Sequence, residues 1–102
     1  MKRVVVQYRC RPDAADANQA AIEDVFAELA QSQPKGLRYA AFRADDGVSF
    51  VHVAAIDTDD DSNPLGQSEA FKRFQAGLKE RVDVPPTATW MQPIGDYGVL
   101  EK

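Results

Sequence analysis

The chain has 102 residues, 44% hydrophobic and 27% charged, with one cysteine, one histidine and one tryptophan. Twelve basic against sixteen acidic residues give a net charge of −4, which argues against nucleic acid or an anionic membrane as a partner. The lone cysteine excludes an internal disulfide framework and a Cys-rich zinc site, and no apolar run approaches the roughly 20 residues that span a bilayer.

One domain over residues 1–102 is expected from this size. Met1-Lys2-Arg3 followed by Val4-Val5-Val6 is too short an apolar segment for a signal peptide, so a cytoplasmic location is expected. Residues 3–10 are rich in β-branched side chains and read as a strand, ended by Pro12-Asp13. A helix then fits Asp16 to Ser32, with Asp13 or Asp16 as its cap. Ile22, Val25, Phe26 and Leu29 fall on one stripe of it, and Pro34-Lys35-Gly36 stops it. Residues 37–44 read as a second strand, Asp45-Asp46-Gly47 as a hairpin turn, and 49–56 as a third strand.

The acidic stretch Asp57, Asp59, Asp60 and Asp61 follows. Its alternating carboxylates echo a calcium loop, but Ser62 stands where the sharp-turn glycine belongs and Ser68 where the bidentate acid belongs. A solvated loop, with no metal, is the expectation. Asn63-Pro64 opens a second helix, striped by Phe71, Phe74 and Leu78 and ending near Arg81. Val84-Pro85-Pro86 is expected to be an extended linker, residues 88–94 a fourth strand and 95–100 a terminal arm.

The order β-α-β-β-α-β predicts an α+β, ferredoxin-like fold: a four-stranded antiparallel sheet with both helices on one face. The other face is not built for water. In the third strand Val51, Val53 and Ala55 alternate with Phe50, His52, Ala54 and Ile56, so both sides are largely apolar. A second copy of the chain, packed sheet to sheet, is the simplest cover, and a homodimer is expected.

The strand ending Tyr8-Arg9-Cys10-Arg11-Pro12, the striped helix after it, Gly36-Leu37, the Phe50-to-Asp57 strand and the Phe71/Phe74/Leu78 helix together resemble the dimeric α+β barrel superfamily. Within it the pattern is similar to the antibiotic biosynthesis monooxygenases. The resemblance covers almost the whole chain as a pattern of elements. It implies a two-chain barrel with a cavity, and a cofactor-independent monooxygenase acting on a small aromatic or quinol substrate. A non-catalytic protein of the same shape, binding a small ligand or only assembling, is the alternative. Haem degradation in that superfamily implies an asparagine in the first strand, a tryptophan and a helical histidine. Here Gln7 holds that strand, Trp90 comes late and neither helix has a histidine, so haem degradation is not expected, and the cofactor-independent reading implies no cofactor.

Chemistry then concentrates on few residues. His52 is the one side chain that titrates near neutrality, a natural proton acceptor, and it is expected on the barrel-facing side of the sheet beside Phe50. Gln7 and Arg9 alternate away from Val4, Val6, Tyr8 and Cys10. If those four face the helices, Gln7 and Arg9 join His52 and anchor substrate oxygens. Tyr39, Phe50 and Trp90 are candidate walls for a flat aromatic ligand, although alternation does not say which face carries Trp90. Cys10 is expected in the core as a small apolar residue.

Overall fold

The β-branched run after the N-terminus sits inside a sheet, as its two-sided apolar pattern requires. In the computed structural model, which describes residues 2–60 and 62–98, that strand is β1 (Lys2–Cys10). It is followed by α1 (Ala15–Ser32), β2 (Leu37–Arg43), β3 (Ser49–Ile56), a 3-10 turn (Pro64–Gln67), α2 (Glu69–Arg81) and β4 (Val82–Met91). The four strands form one antiparallel sheet in the order β2-β3-β1-β4, the ferredoxin-like arrangement. Asp61 of the acidic stretch, Met1, and the end of the expected terminal arm lie outside the described residues.

Helix caps depart from expectation in an instructive way. Residue Ala14, with no capping side chain, precedes α1, so Asp16 falls inside the first turn and Asp13 one residue before the cap. Asp13 accepts from Arg11 Nε at 3.2 Å, and Asp16 from Arg43 Nη1 at 3.1 Å. Asn63-Pro64 opens the 3-10 turn rather than α2; the Asn63 side chain accepts from the Leu65 amide. Ser68 caps α2 instead, accepting from the Phe71 amide at 3.0 Å. Across the bundle the Glu28 carboxylate takes the Ser68 hydroxyl at 2.5 Å and the Ala70 amide at 2.8 Å. These bonds to Ser68 and Ala70 hold the Glu28 carboxyl below the usual glutamate range and join α1 to the positive end of α2.

The expected linker at 84–86 is strand. Pairing runs Arg9 with Val84 and then Gln7 with Thr87, so β4 carries an extra residue opposite Tyr8, where Pro85 and Pro86 fall. Proline cannot donate to a ladder, but β4 is an edge strand and a bulge leaves its amides unneeded. The same pairing ends the strand at Met91, short of residue 94. At the entrance to β2, Gly36 has a φ of +79°, and a Cβ there would lie 2.3 Å from the Asp57 carbonyl oxygen. Only glycine allows the α1–β2 connection to pass so close to the end of β3.

Register decides what each face carries. Val6 lies opposite His52 and Tyr8 opposite Phe50, and residues paired across an antiparallel ladder point the same way. Tyr8, Cys10 and Phe50 pack into one core with Ile22, Val25 and Phe74 of the helices. His52 therefore faces the helices, not the open side of the sheet. Gln7 and Arg9 point to the opposite face with Val51 and Val53, so the expected grouping of His52 with Gln7 and Arg9 is corrected. Tyr8 and Cys10 do meet the helices, the condition set for that grouping, but His52 shares their face instead of lying opposite.

Candidate functional site

The helix-covered face of the sheet holds a cavity of about 410 Å³ under α2. Its walls are apolar: Val4 and Val6 from β1, Ala54 from β3, and Phe71, Phe74 and Leu78 from α2. Into it project Tyr39 from β2 and His52 from β3. Their placement follows from the pairing of Ala41 with His52 and Tyr39 with Ala54, which sets the two side chains on neighbouring positions of one face.

The rings here are organised as a cluster. Tyr39 stacks on Phe26 of α1 with centroids 5.1 Å apart, Tyr8 stacks on Phe50 at 5.6 Å, and His52 lies 5.5 Å from Phe74. Such offset contacts fix ring orientation as well as burying area.

Through this aromatic layer runs a line of polar groups. Arg81 Nε, at the end of α2, donates to Asn18 Oδ1 at 2.9 Å. Asn18 Nδ2, in the second turn of α1, donates to the Tyr8 hydroxyl at 2.9 Å. The Tyr8 hydroxyl is 2.7 Å from His52 Nε2, and the Tyr39 hydroxyl is 2.5 Å from His52 Nδ1. Asn18 has no solvent exposure, and His52 is 5% exposed. Among the described residues, every buried side-chain nitrogen and oxygen has a partner. Burial pulls the His52 pKa down to about 4, so the imidazole is neutral at pH 7, and it pushes both tyrosine hydroxyls upward.

The remaining candidates are placed apart from this line. Arg9 is paired with Asp83 of β4 at 2.9 Å, on the face away from the cavity. That contact raises its pKa above the usual arginine value. Gln7 borders the same open-face depression, with Thr87 and Thr89. Phe50 is buried and supports Tyr8 from behind rather than lining the cavity. Trp90 lies opposite Val4, which puts it on the helix-side face. It is 64% exposed there, one same-face position beyond Ala88, which does line the cavity. Cys10 is buried as expected.

Sequence reasoning missed Asn18 and Arg81. A signal existed. Asn18 continues the α1 stripe back from Ile22, and Arg81 continues the α2 stripe beyond Leu78, so each is a polar residue on an apolar helix face.

The fold and site define a class: a ferredoxin-like α+β domain with an aromatic cavity between sheet and helices. Solved structures share that fold. Rv0793 from Mycobacterium tuberculosis superposes with a TM-score of 0.74 and 20% identity over 93% of this chain and 96% of that one. A protein of Nitrosomonas europaea, assigned by name to the antibiotic biosynthesis monooxygenases, gives 0.77 at 15% identity over 93% and 100%. A further structure named antibiotic biosynthesis monooxygenase gives 0.73 at 19% over 93% and 100%. At these identities the likeness is one of fold. No family model and no curated protein matches the chain. Among the described residues, no helix is long and apolar enough to cross a membrane.

Proposed function

We propose that this chain is a homodimeric, cytoplasmic, cofactor-independent monooxygenase-like enzyme that takes a small aromatic or quinol substrate into the cavity under α2. The observation that carries this reading is a largely apolar, ring-lined cavity of about 410 Å³ whose lining includes Tyr39 and His52, with the Tyr39 hydroxyl 2.5 Å from His52 Nδ1. That volume suits a two- or three-ring molecule, and its walls offer flat contact beside the polar side chains of Tyr39, His52, Asn63 and Gln75. Two of the structures that share the fold carry the name antibiotic biosynthesis monooxygenase, which supports the monooxygenase part of this reading.

In this reading a phenolic or enolic oxygen of the substrate sits at the Tyr39 hydroxyl. Loss of its proton to water makes the ring electron-rich, and the anion passes one electron to dioxygen. The radical and superoxide join through a new C–O bond at a carbon bearing hydrogen, the peroxide takes a proton back from water, and the hydroperoxide loses water to leave a carbonyl. One atom of dioxygen stays in the product and the other leaves as water. Tyr39 touches the substrate, and His52 acts through Tyr39, because both its ring nitrogens are taken by tyrosine hydroxyls. Gln7 and Arg9 stay outside this chemistry on the open face.

Oxygen uptake above the uncatalysed rate, measured with anthrone and a panel of hydroxynaphthalenes, tests the enzyme reading. Tyr39→Phe should lower any such rate about tenfold or more. Cavity binding of these compounds with no added oxygen uptake would establish instead a small-ligand-binding protein.

The second copy belongs on the open face of the sheet. Val5, Val51, Val53 and Ala40 lie there, with Phe42 58% and Met91 47% exposed. An exposed apolar face of this kind is relieved by a two-fold partner. At micromolar concentration the protein should sediment at twice 11.2 kDa, and Val53→Lys should move it toward 11.2 kDa. A wild-type monomer would overturn the pairing.

A further inference from the structure

The line from Arg81 to Tyr39 has a direction, and hydrogen-bonding rules set it. A guanidinium only donates, so the atom of Asn18 that faces Arg81 Nε must be the carbonyl oxygen. The Asn18 amide nitrogen is thereby turned to Tyr8, whose oxygen accepts from it. A hydroxyl has one hydrogen. Tyr8 spends it on His52 Nε2, 2.7 Å away, which must then be the unprotonated nitrogen of the ring. The opposite assignment would make the buried Tyr8 oxygen accept twice and leave its hydrogen unpaired, at a desolvation penalty. With Nε2 accepting, the neutral ring carries its hydrogen on Nδ1, and that N–H donates to the Tyr39 oxygen at 2.5 Å. The Tyr39 hydrogen is then left to be given elsewhere, and Tyr39 lines the cavity.

We propose that Arg81 and Asn18 lock His52 as the Nδ1–H tautomer, so that Tyr39 is an obligate hydrogen-bond donor to a carbonyl or oxyanion oxygen of the ligand. The inference rests on the cavity being the binding site, and it narrows the ligand to molecules that present an acceptor there. Each bond in the line polarises the next, from the cationic Arg81 outward, which strengthens the final donor toward an oxygen that gains negative charge. A phenolate or enolate is held better than its protonated form, so the site favours the electron-rich state without removing the proton itself. Arg81 and Asn18 are positioning residues. They come from α2 and α1, so the donor sense at the cavity depends on both helices packing on the same sheet.

The chain has a single histidine, so 15N-histidine labelling reports this site alone. At pH 7 the ring should show a protonated Nδ1 and an unprotonated Nε2. A protonated Nε2 overturns the proposal. Arg81→Met frees the Asn18 amide to turn, and the Nε2–H tautomer should then appear; an unchanged ring would remove Arg81 from the assignment. Ligand chemistry is read with 1-tetralone and tetralin, which share a frame and differ by one carbonyl oxygen. Wild type should bind 1-tetralone about tenfold more tightly than tetralin, and Tyr39→Phe should bring the two affinities together. Equal affinities in the wild type overturn the donor role. Binding of neither compound overturns the cavity reading itself, and the tautomer measurement stands apart from that outcome.

Discussion

Asn18→Leu should destabilise the protein by about 3 kcal/mol, the largest effect expected from a single substitution of similar size here. Leucine matches the volume and removes both bonds. The Tyr8 hydroxyl loses a donor, and the Arg81 guanidinium loses the neutral acceptor on which its Nε rests. A neutral hydrogen bond contributes about 1 kcal/mol and one to a charged group about 1.5–3, with a further penalty where the abandoned partner stays buried. Arg81 keeps its bond to the Phe74 carbonyl at 2.9 Å and its place over the Phe74 ring, which limits the loss. Urea unfolding at fixed protein concentration reads the effect as a lower midpoint with unchanged slope, and thermal unfolding as a fall of about 15 °C. A loss below about 1 kcal/mol would show that the line of polar groups does not hold the two helices to the sheet.

Acid should weaken the fold through His52 well before the carboxylates matter. Its pKa is lowered from 6.5 to about 4, and burial is the cause. In the unfolded chain the imidazole takes up a proton as the pH falls through about 6.5; in the folded chain it resists until about 4. The unfolded state therefore binds more protons across that window, and stability falls with pH there, reaching a loss of about 3 kcal/mol near pH 4. Below that value both states are protonated and this contribution stops growing. Glu28, Asp46 and Asp60 are held below the usual carboxylate range by hydrogen bonds to Ser68, Ser49 and Ser62. Their stabilisation is present above the ordinary carboxylate pKa and is lost as the pH drops through their own lower values, so it overlaps only the bottom of the histidine window. Urea midpoints taken between pH 7 and 4.5 should slope downward in the wild type and be nearly flat in His52→Gln. Parallel slopes in the two proteins would mean that the imidazole is solvated.

The two effects share one cause. The charged imidazole is disfavoured because its nitrogens meet tyrosine hydroxyls and rings instead of water. Asn18 is costly to lose because it finishes the same chain of bonds. A neutral histidine wired at both nitrogens is a poor free base, and that makes Tyr39 the group which meets a ligand.

Local pattern was enough for the elements. Alternation and stripe spacing marked β1, both helices, β2 and β3, because a half-buried strand or helix must show its period in side-chain polarity. The Pro85-Pro86 pair hid the start of β4. Proline reads as a break in isolation, and only its position at a sheet edge, in a bulge opposite Tyr8, makes it compatible with a strand.

By itself the sequence determined the α+β order, the two-sided apolar character of the sheet, and the alternation that sets His52 with Phe50, Ala54 and Ile56 within its own strand. It named His52 and Tyr39 as separate candidates and did not join them. The tertiary structure alone decided which layer that face meets, since alternation has a period of two and carries no sign. The pairing of Val6 with His52 supplied the sign, moved His52 from the open face to the cavity, and left Gln7 and Arg9 behind. It also brought Asn18 and Arg81, distant from His52 along the chain, into one hydrogen-bonded line with it, because two helices and a sheet bury their stripes against each other and any polar residue on a stripe must find its partner there.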